Sequence, residues 1–247
     1  MKLLPFALSA ALFVAGPAAA HFDACEFESD FNLRIAPDGL RFERDAGTPA
    51  KVEMRAGVLR VDGREVALSD ADRARVRDFE RRIRALVPEV KAIAIDAVAI
   101  ATEAVTQVAV SLAGNKNSAS VTRIEQLGTE LVAKIERADD TREWNEGEFE
   151  RTIAALTAEV VPSLIGEATS LAVQAALSGE ESAVQDIETR VQNMEKEIEA
   201  RVEKRARSLE ARADALCPRL AELDALEAEL ELRLADNARL DLLQMER

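Results

Sequence analysis

Few residues in this chain belong to the types that commonly carry catalysis. It has one histidine, His21, two cysteines, Cys25 and Cys217, one tryptophan and no tyrosine. A serine–histidine–acid triad, a helical Glu-x-x-His iron site and a His-Glu-x-x-His zinc site all need an imidazole at spacings that His21 alone cannot supply. Two distant cysteines cannot make a cysteine-rich zinc site. The ten glycines are scattered and form no phosphate-cradling loop ahead of a helix. Asp70-Ala71-Asp72 starts like a calcium loop but lacks the later ligands and the central glycine. Glu227, Glu229 and Glu231 alternate, so one helical face cannot gather them. Hydrolysis by carboxylates alone is left open by the 46 acidic residues, and the scarcity of aromatic rings argues against a sugar-stacking cleft. The expectation is a protein that is not an enzyme and holds no metal or cofactor.

The elements around these residues begin with an export signal. Met1 and Lys2 give a positive start, Leu3 to Ala15 are almost wholly apolar, and Ala18-Ala19-Ala20 supplies the small residues that signal peptidase requires. Cleavage between Ala20 and His21 would release a periplasmic or secreted chain. The apolar run is too short to span a bilayer, and Asp23, Glu26, Glu28 and Asp30 follow it at once. A lipoprotein would need a cysteine where His21 stands. His21 beside a free amino group could chelate copper, but with no second histidine it reads as a solvated terminal residue.

An oxidising compartment favours pairing of Cys25 with Cys217, which would close nearly the whole mature chain into one loop. A redox-active pair would need close Cys-x-x-Cys spacing. The net charge of −14 would repel nucleic acid and anionic lipid unless a basic face intervened. The arginines from Arg73 to Arg84 are interleaved with Asp70, Asp72, Asp78 and Glu80, the pattern of a solvated helix face.

From Phe31 to Leu68 the sequence reads as short strands and tight turns. Phe31 to Ile35 alternates, Pro37-Asp38-Gly39 offers a turn, and Leu40 to Phe42 alternates again. Asp62-Gly63 sets a second hairpin between Val58–Val61 and Glu65–Leu68, and Lys51 to Arg55 adds a further strand. Ser69 is placed to cap a helix, with Asp70 and Asp72 in its first turn. Phe79, Ile83, Leu86 and Val90 then form a helical stripe, and Pro88 is expected to kink or interrupt it.

Residues 92–113 are strongly apolar and about 33 Å long as a helix, enough to reach across a membrane. Asp96 and Glu103 share a face with Gln107, which favours a buried core helix over a membrane-inserting one. A third helix runs from about Ser120 to Ala138. Trp144 follows in a polar stretch, where it is a candidate partner or lipid contact as well as a cover for a helical hairpin. The motif from Phe79 to Val90 recurs from Phe149 to Val160, each copy leading into an apolar helix (79–113 and 149–177), so duplication and convergence are both open. Residues 180–243 carry a long apolar seam, broken at Pro218, suited to a bundle within the monomer or to pairing with a second copy.

The expected fold is mainly α with a small N-terminal antiparallel β-meander (α+β), a helical bundle with a long C-terminal helix. Its divisions are a signal peptide (1–20), a β-hairpin region (21–68) and a helical region (69–247).

In order, the signal, the early Cys25, the Pro37-Asp38-Gly39 turn, the Val61-to-Leu68 hairpin entering a helix and the late Cys217 with its short tail resemble the YggN-like family of proteobacterial envelope proteins, whose function is unknown. The resemblance spans nearly all the mature chain. It implies a periplasmic setting and brings no catalytic residues. The functional expectation is a non-enzymatic envelope protein that binds an unidentified protein or apolar ligand. The alternative is contact with lipid through residues 92–113 and 160–177, without nucleic acid and without a stable transmembrane segment.

Overall fold

The computed structural model describes residues 27–113, 115–141, 146–178, 181–234 and 237–245. Ala20, His21, Cys25 and Trp144 lie outside the described residues. The architecture is α+β, a small antiparallel sheet joined to a helical bundle. Its elements are β1 (Phe27–Glu28), β2 (Asn32–Ala36), β3 (Gly39–Glu43), β4 (Lys51–Arg55), β5 (Val58–Val61), β6 (Arg64–Glu65), α1 (Asp70–Ala113), α2 (Ala119–Arg137), α3 (Glu146–Ser178), α4 (Glu181–Asp214), α5 (Cys217–Ala228) and β7 (Gln244–Met245).

Strands β2 to β6 form a meander in sequence order. Alternation puts one side of each strand into the core, and the register matches the apolar positions across neighbours: Leu33 with Phe42, Phe42 with Val52, and Val52 with Val61. Ile35, Leu40, Met54 and Leu59 form the parallel row. The turns carry suitable chemistry. Asp62-Gly63 and Ala56-Gly57 both have positive φ at their two central residues, as a tight hairpin turn requires. Asp62 Oδ1 also accepts the N–H groups of Ala50 and Lys51 at 2.9 Å each. At Gly39 a Cβ would lie 2.4 Å from the Met54 carbonyl oxygen, so only glycine fits that strand crossing.

Helix α1 starts as the sequence predicts, with the Asp72 N–H donating to Ser69 Oγ at 3.1 Å. It then runs 44 residues, about 66 Å, straight through Pro88. The helix is not interrupted: Pro88 removes one N–H from the ladder, while contacts on both sides hold the flanking turns, with Arg84 Nη2 donating to the Ala36 carbonyl at 2.7 Å ahead of it. Glu89 pairs with Arg219, and Lys91 Nζ donates to the Glu136 carbonyl at 2.8 Å.

The N-terminal half of α1 lays Val76, Phe79, Ile83 and Leu86 on the sheet, with the Phe42 and Phe79 rings 6.3 Å apart. Its C-terminal half passes beyond the sheet into a second core of Ala109, Val121, Ile124, Leu127 and Val160. Helix α2 folds back along α1. Their close approach leaves no room beside Gly128, where a Cβ would lie 2.5 Å from Thr102 Oγ1.

The return of α2 delivers residues 139–141 to the edge strand β2. The Ile35 N–H donates to the Asp139 carbonyl at 2.8 Å, the Leu33 N–H to Thr141 Oγ1 at 2.8 Å, and Arg34 Nε to the buried Asp140 carboxylate at 2.9 Å. An open sheet edge is thereby covered.

The C-terminal region breaks its helix at Pro218 as expected, but the helical segment expected to reach residue 243 ends at Ala228. Helix α4 ends at Asp214, α5 restarts at Cys217 with Pro218 in its first turn, and the chain after Ala228 leaves the helix. The leucines explain the error. Leu226, Leu230 and Leu234 satisfy a helical step of four, yet Leu230, Leu232 and Leu234 equally satisfy the period of two of an extended chain. Extended, all three turn inward: Leu230 and Leu232 are buried and Leu234 packs on the same core. Leu240, Leu242 and Leu243 complete that core, and β7 pairs antiparallel with β1.

In the sequence echo, Val90 and Val160 are equivalent positions. Val90 is exposed and Val160 is buried, so the two copies pack differently at that point.

Candidate interaction surface

The acids set in the apolar part of α1 find their partners on the C-terminal helices. Glu89 pairs with Arg219, Asp96 with Arg212, and Glu103 with Arg205. Each set steps by seven residues, so all three pairs share one antiparallel register. Arg201 adds a second contact to Glu103 at 3.1 Å, and Arg82 pairs with Glu222 at the sheet end. Arg219 holds the Glu89 carboxyl below its ordinary value through its hydrogen bond. Beneath this ladder the seam residues Val202, Ala206, Leu209, Ala213, Leu216, Leu220 and Leu223 are half-buried or buried, with α4 and α5 packed on α1. The sequence places Asp96 and Glu103 on one face but does not name their partners; the sevenfold spacing of Arg205, Arg212 and Arg219 was the available signal.

Among the described residues, three buried carboxylates are spent on the fold. Asp140 holds Arg34, as above. Asp72 accepts Arg75 Nη1 at 3.0 Å and the Glu231 N–H at 3.2 Å. Glu227 accepts the N–H groups of Leu242 at 2.8 Å and Leu243 at 3.1 Å, one on each oxygen. Two carboxylates thus replace the carbonyls that the extended tail lacks. Ser29 Oγ closes the other side by donating to the Leu242 carbonyl at 2.7 Å. Burial pushes the Glu227 carboxyl up to about 7 against the opposing pull of the two N–H groups, and the negative charges of Asp241 and Asp224 add to the rise.

The outer face of the sheet is polar. A shallow cavity of about 310 Å³ lies there, bordered by Asp38, Arg41, Glu53, Arg55, Arg60 and Glu65. Its charges are matched: Arg41 with Glu53 at 3.2 Å, Arg55 with Asp38 at 3.1 Å, and Arg60 with Glu65 at 3.7 Å. Lys51 foremost, with Arg41, keeps the Glu53 carboxyl below its usual range. Among the described residues no group of three or more potential metal ligands converges.

Helix α3 has the opposite character. Between Val160 and Ser178 its one charged residue is Glu167. That side chain turns inward, with Oε1 3.0 Å from the hydroxyl of buried Ser120, itself 2.8 Å from Ser163 Oγ. Val160 and Leu164 pack into the second core, while other apolar residues of the helix turn outward. Val161, Ile165, Val173 and Leu177 are exposed by 41, 62, 52 and 82%. Polar side chains on this surface bond to their own helix: Thr169 Oγ1 donates to the Ile165 carbonyl at 2.7 Å, and Gln174 Nε2 to Ser170 Oγ at 3.2 Å. Exposed apolar residues of this size make the described part of α3 a candidate contact surface.

Segment 92–113, expected to be a core helix, is mostly half-buried, with Ala109 fully enclosed and Val108 exposed. Helix α1 is long and apolar enough to cross a membrane on length and composition. Cys217 is half-buried as the first residue of α5, and the described part of the N terminus reaches the same tail through β1 and β7.

The fold and this surface define a helix-dominated α+β protein that exposes four large apolar residues on the described part of α3. The model of a family described as a protein of unknown function (DUF2884) matches residues 25–243, and the chain belongs to that family. No curated protein matches the chain. No solved structure matches it either.

Glu227 gives the fold a pH dependence with a definite sign. Its folded value of about 7 exceeds the unfolded value of 4.5, so the folded state holds the proton more tightly. Its contribution to stability is full below the unfolded value and is lost as pH rises from about 4.5 to about 7. Urea unfolding across that window should show a decline that Glu227→Gln flattens. Glu227→Ala should cost about 1–3 kcal/mol for each N–H left without an acceptor.

Reversing one rung of the ladder, Asp96→Arg, should lower the melting temperature, and adding Arg212→Asp should restore most of the loss. Exposed pairs of this type contribute about 0.2–1 kcal/mol. Recovery in the double variant, read from the thermodynamic cycle, checks the register.

Proposed function

We propose that this is a non-enzymatic periplasmic or secreted protein that acts by binding, with the face of α3 as its contact surface. The observation that carries the reading is the inversion of α3, whose only charge between residues 160 and 178 is turned inward while Ile165 and Leu177 meet solvent. A helix that faced only water would gain by the reverse arrangement. The use of Asp72, Asp140 and Glu227 as anchors of backbone and arginine groups supports a structural role for the buried acids rather than paired acid–base work.

Export rests on the leader before His21, and with it goes a disulfide between Cys25 and Cys217. The pairing of β1 with β7 supports that clasp, since β1 starts two residues after Cys25 and β7 packs against α5, which starts at Cys217. A closed loop of nearly the full mature chain would add roughly 5 kcal/mol in the chain-entropy model. Trp144 is proposed as a further partner or lipid contact from its residue type in the sequence alone.

A second reading, contact with lipid, is favoured by one observation: the apolar stretch of α1 is long enough to cross a membrane and little of it is fully buried.

Two measurements test these readings. The intact mass of protein recovered from the envelope fraction should correspond to a chain starting at His21 and two hydrogens lighter than the dithiol. A mass that includes the leader, or two free thiols, overturns the corresponding claim. An apolar fluorescent dye should bind the protein and lose most of its signal in the Ile165→Glu, Val173→Glu double variant; an unchanged signal overturns α3 as the contact surface.

A further inference from the structure

The arginines of α1 from Arg73 to Arg84 fall into two groups once their partners are known. Arg75 bonds Asp72, Arg81 and Arg82 share Asp78, and Arg84 bonds Glu80 at 3.2 Å. Two of these acids are engaged a second time: Asp72 accepts the Glu231 N–H, and Glu80 Oε2 accepts the Ala56 N–H at 2.9 Å. Arg73 and Arg77 are exposed and make no ion pair among the described residues. Asp70, three residues before Arg73, is exposed and pairs with neither.

These two side chains are held at their base. They stand one turn apart on the same side of α1, with about 5–6 Å between their Cβ atoms. Both stems lie on Gly57, in the turn between β4 and β5, where a Cβ would come 3.0 Å from Arg73 Cγ and 2.9 Å from Arg77 Cγ. Gly57 is buried beneath them. The bond from the Ala56 N–H to Glu80 pins that turn to the helix. Packed stems on exposed residues leave the charged heads in water, side by side.

Like charges at this spacing repel, and an anion between them reverses the cost. The chain has 46 acidic against 32 basic residues, yet none of its acids fills that place among the described residues. Each guanidinium is a planar fork of donors that fits carboxylate or phosphate oxygens. Two forks on one side match the three free oxygens of a phosphate monoester better than the two of a carboxylate. The net charge of −14 opposes an extended polyanion, which leaves a compact group as the suitable ligand.

We infer that Arg73 and Arg77 form a binding site for a phosphate monoester group, with the β4–β5 turn as its base. The site lies where α1 crosses the sheet and is independent of the contact surface proposed on α3.

Inorganic phosphate titrated into the full mature protein tests this, at an ionic strength held constant with chloride and followed through the amide chemical shifts. Binding should saturate, with the largest shifts at and around Gly57. Arg73→Gln and Arg77→Gln should each weaken it by roughly tenfold, the loss expected for a charge-assisted hydrogen-bonding partner. Neither should lower the melting temperature, because each removes one of two repelling charges. Arg73→Lys keeps the charge without the fork and should weaken binding by less. Arg64→Gln, at an exposed arginine of β6 that makes no ion pair among the described residues, should leave it unchanged.

Vesicles of neutral phospholipid containing phosphatidate separate the two sources of such a group. Capture of wild type that is lost in the Arg73→Gln, Arg77→Gln double variant identifies a lipid headgroup, and phosphate binding without capture identifies a soluble phosphate ester. Absence of saturable phosphate binding, binding that survives both glutamine substitutions, or equal weakening by Arg64→Gln overturns the site.

Discussion

Everything in the molecule is registered on α1, because one uninterrupted helix belongs to two hydrophobic cores. Its first turns place Val76, Phe79, Ile83 and Leu86 against the sheet, and its last turns place Ala109 among Val121, Ile124, Leu127 and Val160. A helix is stiff over this length, so the sheet and the distal helices cannot adjust independently. The chain reinforces that coupling twice more. Residues 139–141 come back to cap strand β2, and α4 with α5 retraces α1 toward the sheet.

Pairing between α1 and the C-terminal helices shows how an apolar helix is made specific. Alanine and valine give smooth surfaces that tolerate sliding. Acids at 89, 96 and 103 against arginines at 219, 212 and 205 allow one register, since a shift by a single turn would misplace every rung. Individually such exposed pairs add little. Their value lies in selecting one alignment among several of similar apolar burial.

The sheet end is closed by different means. The tail after α5 must bury leucines without the helix that would satisfy its backbone, and Asp72 and Glu227 supply the missing acceptors. Holding Glu227 in so dry a place is what raises its proton affinity. The same residue therefore fixes the tail and makes that fixation sensitive to pH, from a single cause. At the far end of the molecule the inward Glu167 leaves the outer face of α3 from Val160 to Ser178 uncharged, so the closed sheet end and this helical end have contrasting chemistry.

The amino-acid order alone determined the local elements. Alternation, turn residues and the Ser69 cap specify the meander and the start of α1, because those signals act over a few neighbouring residues. It also bounds imidazole and cysteine chemistry to one histidine and two cysteines. Tertiary structure decided what local signals leave degenerate. Pro88 can sit within a helix when both flanks are held, and Leu230, Leu232 and Leu234 fit a helical and an extended period alike until the core beneath them selects one. Which acid meets which arginine, and whether Glu167 or Ile165 faces water, depends on how helices far apart in the chain are rotated against each other. That rotation is set by the summed packing of all the helices, a quantity that no short stretch of sequence contains.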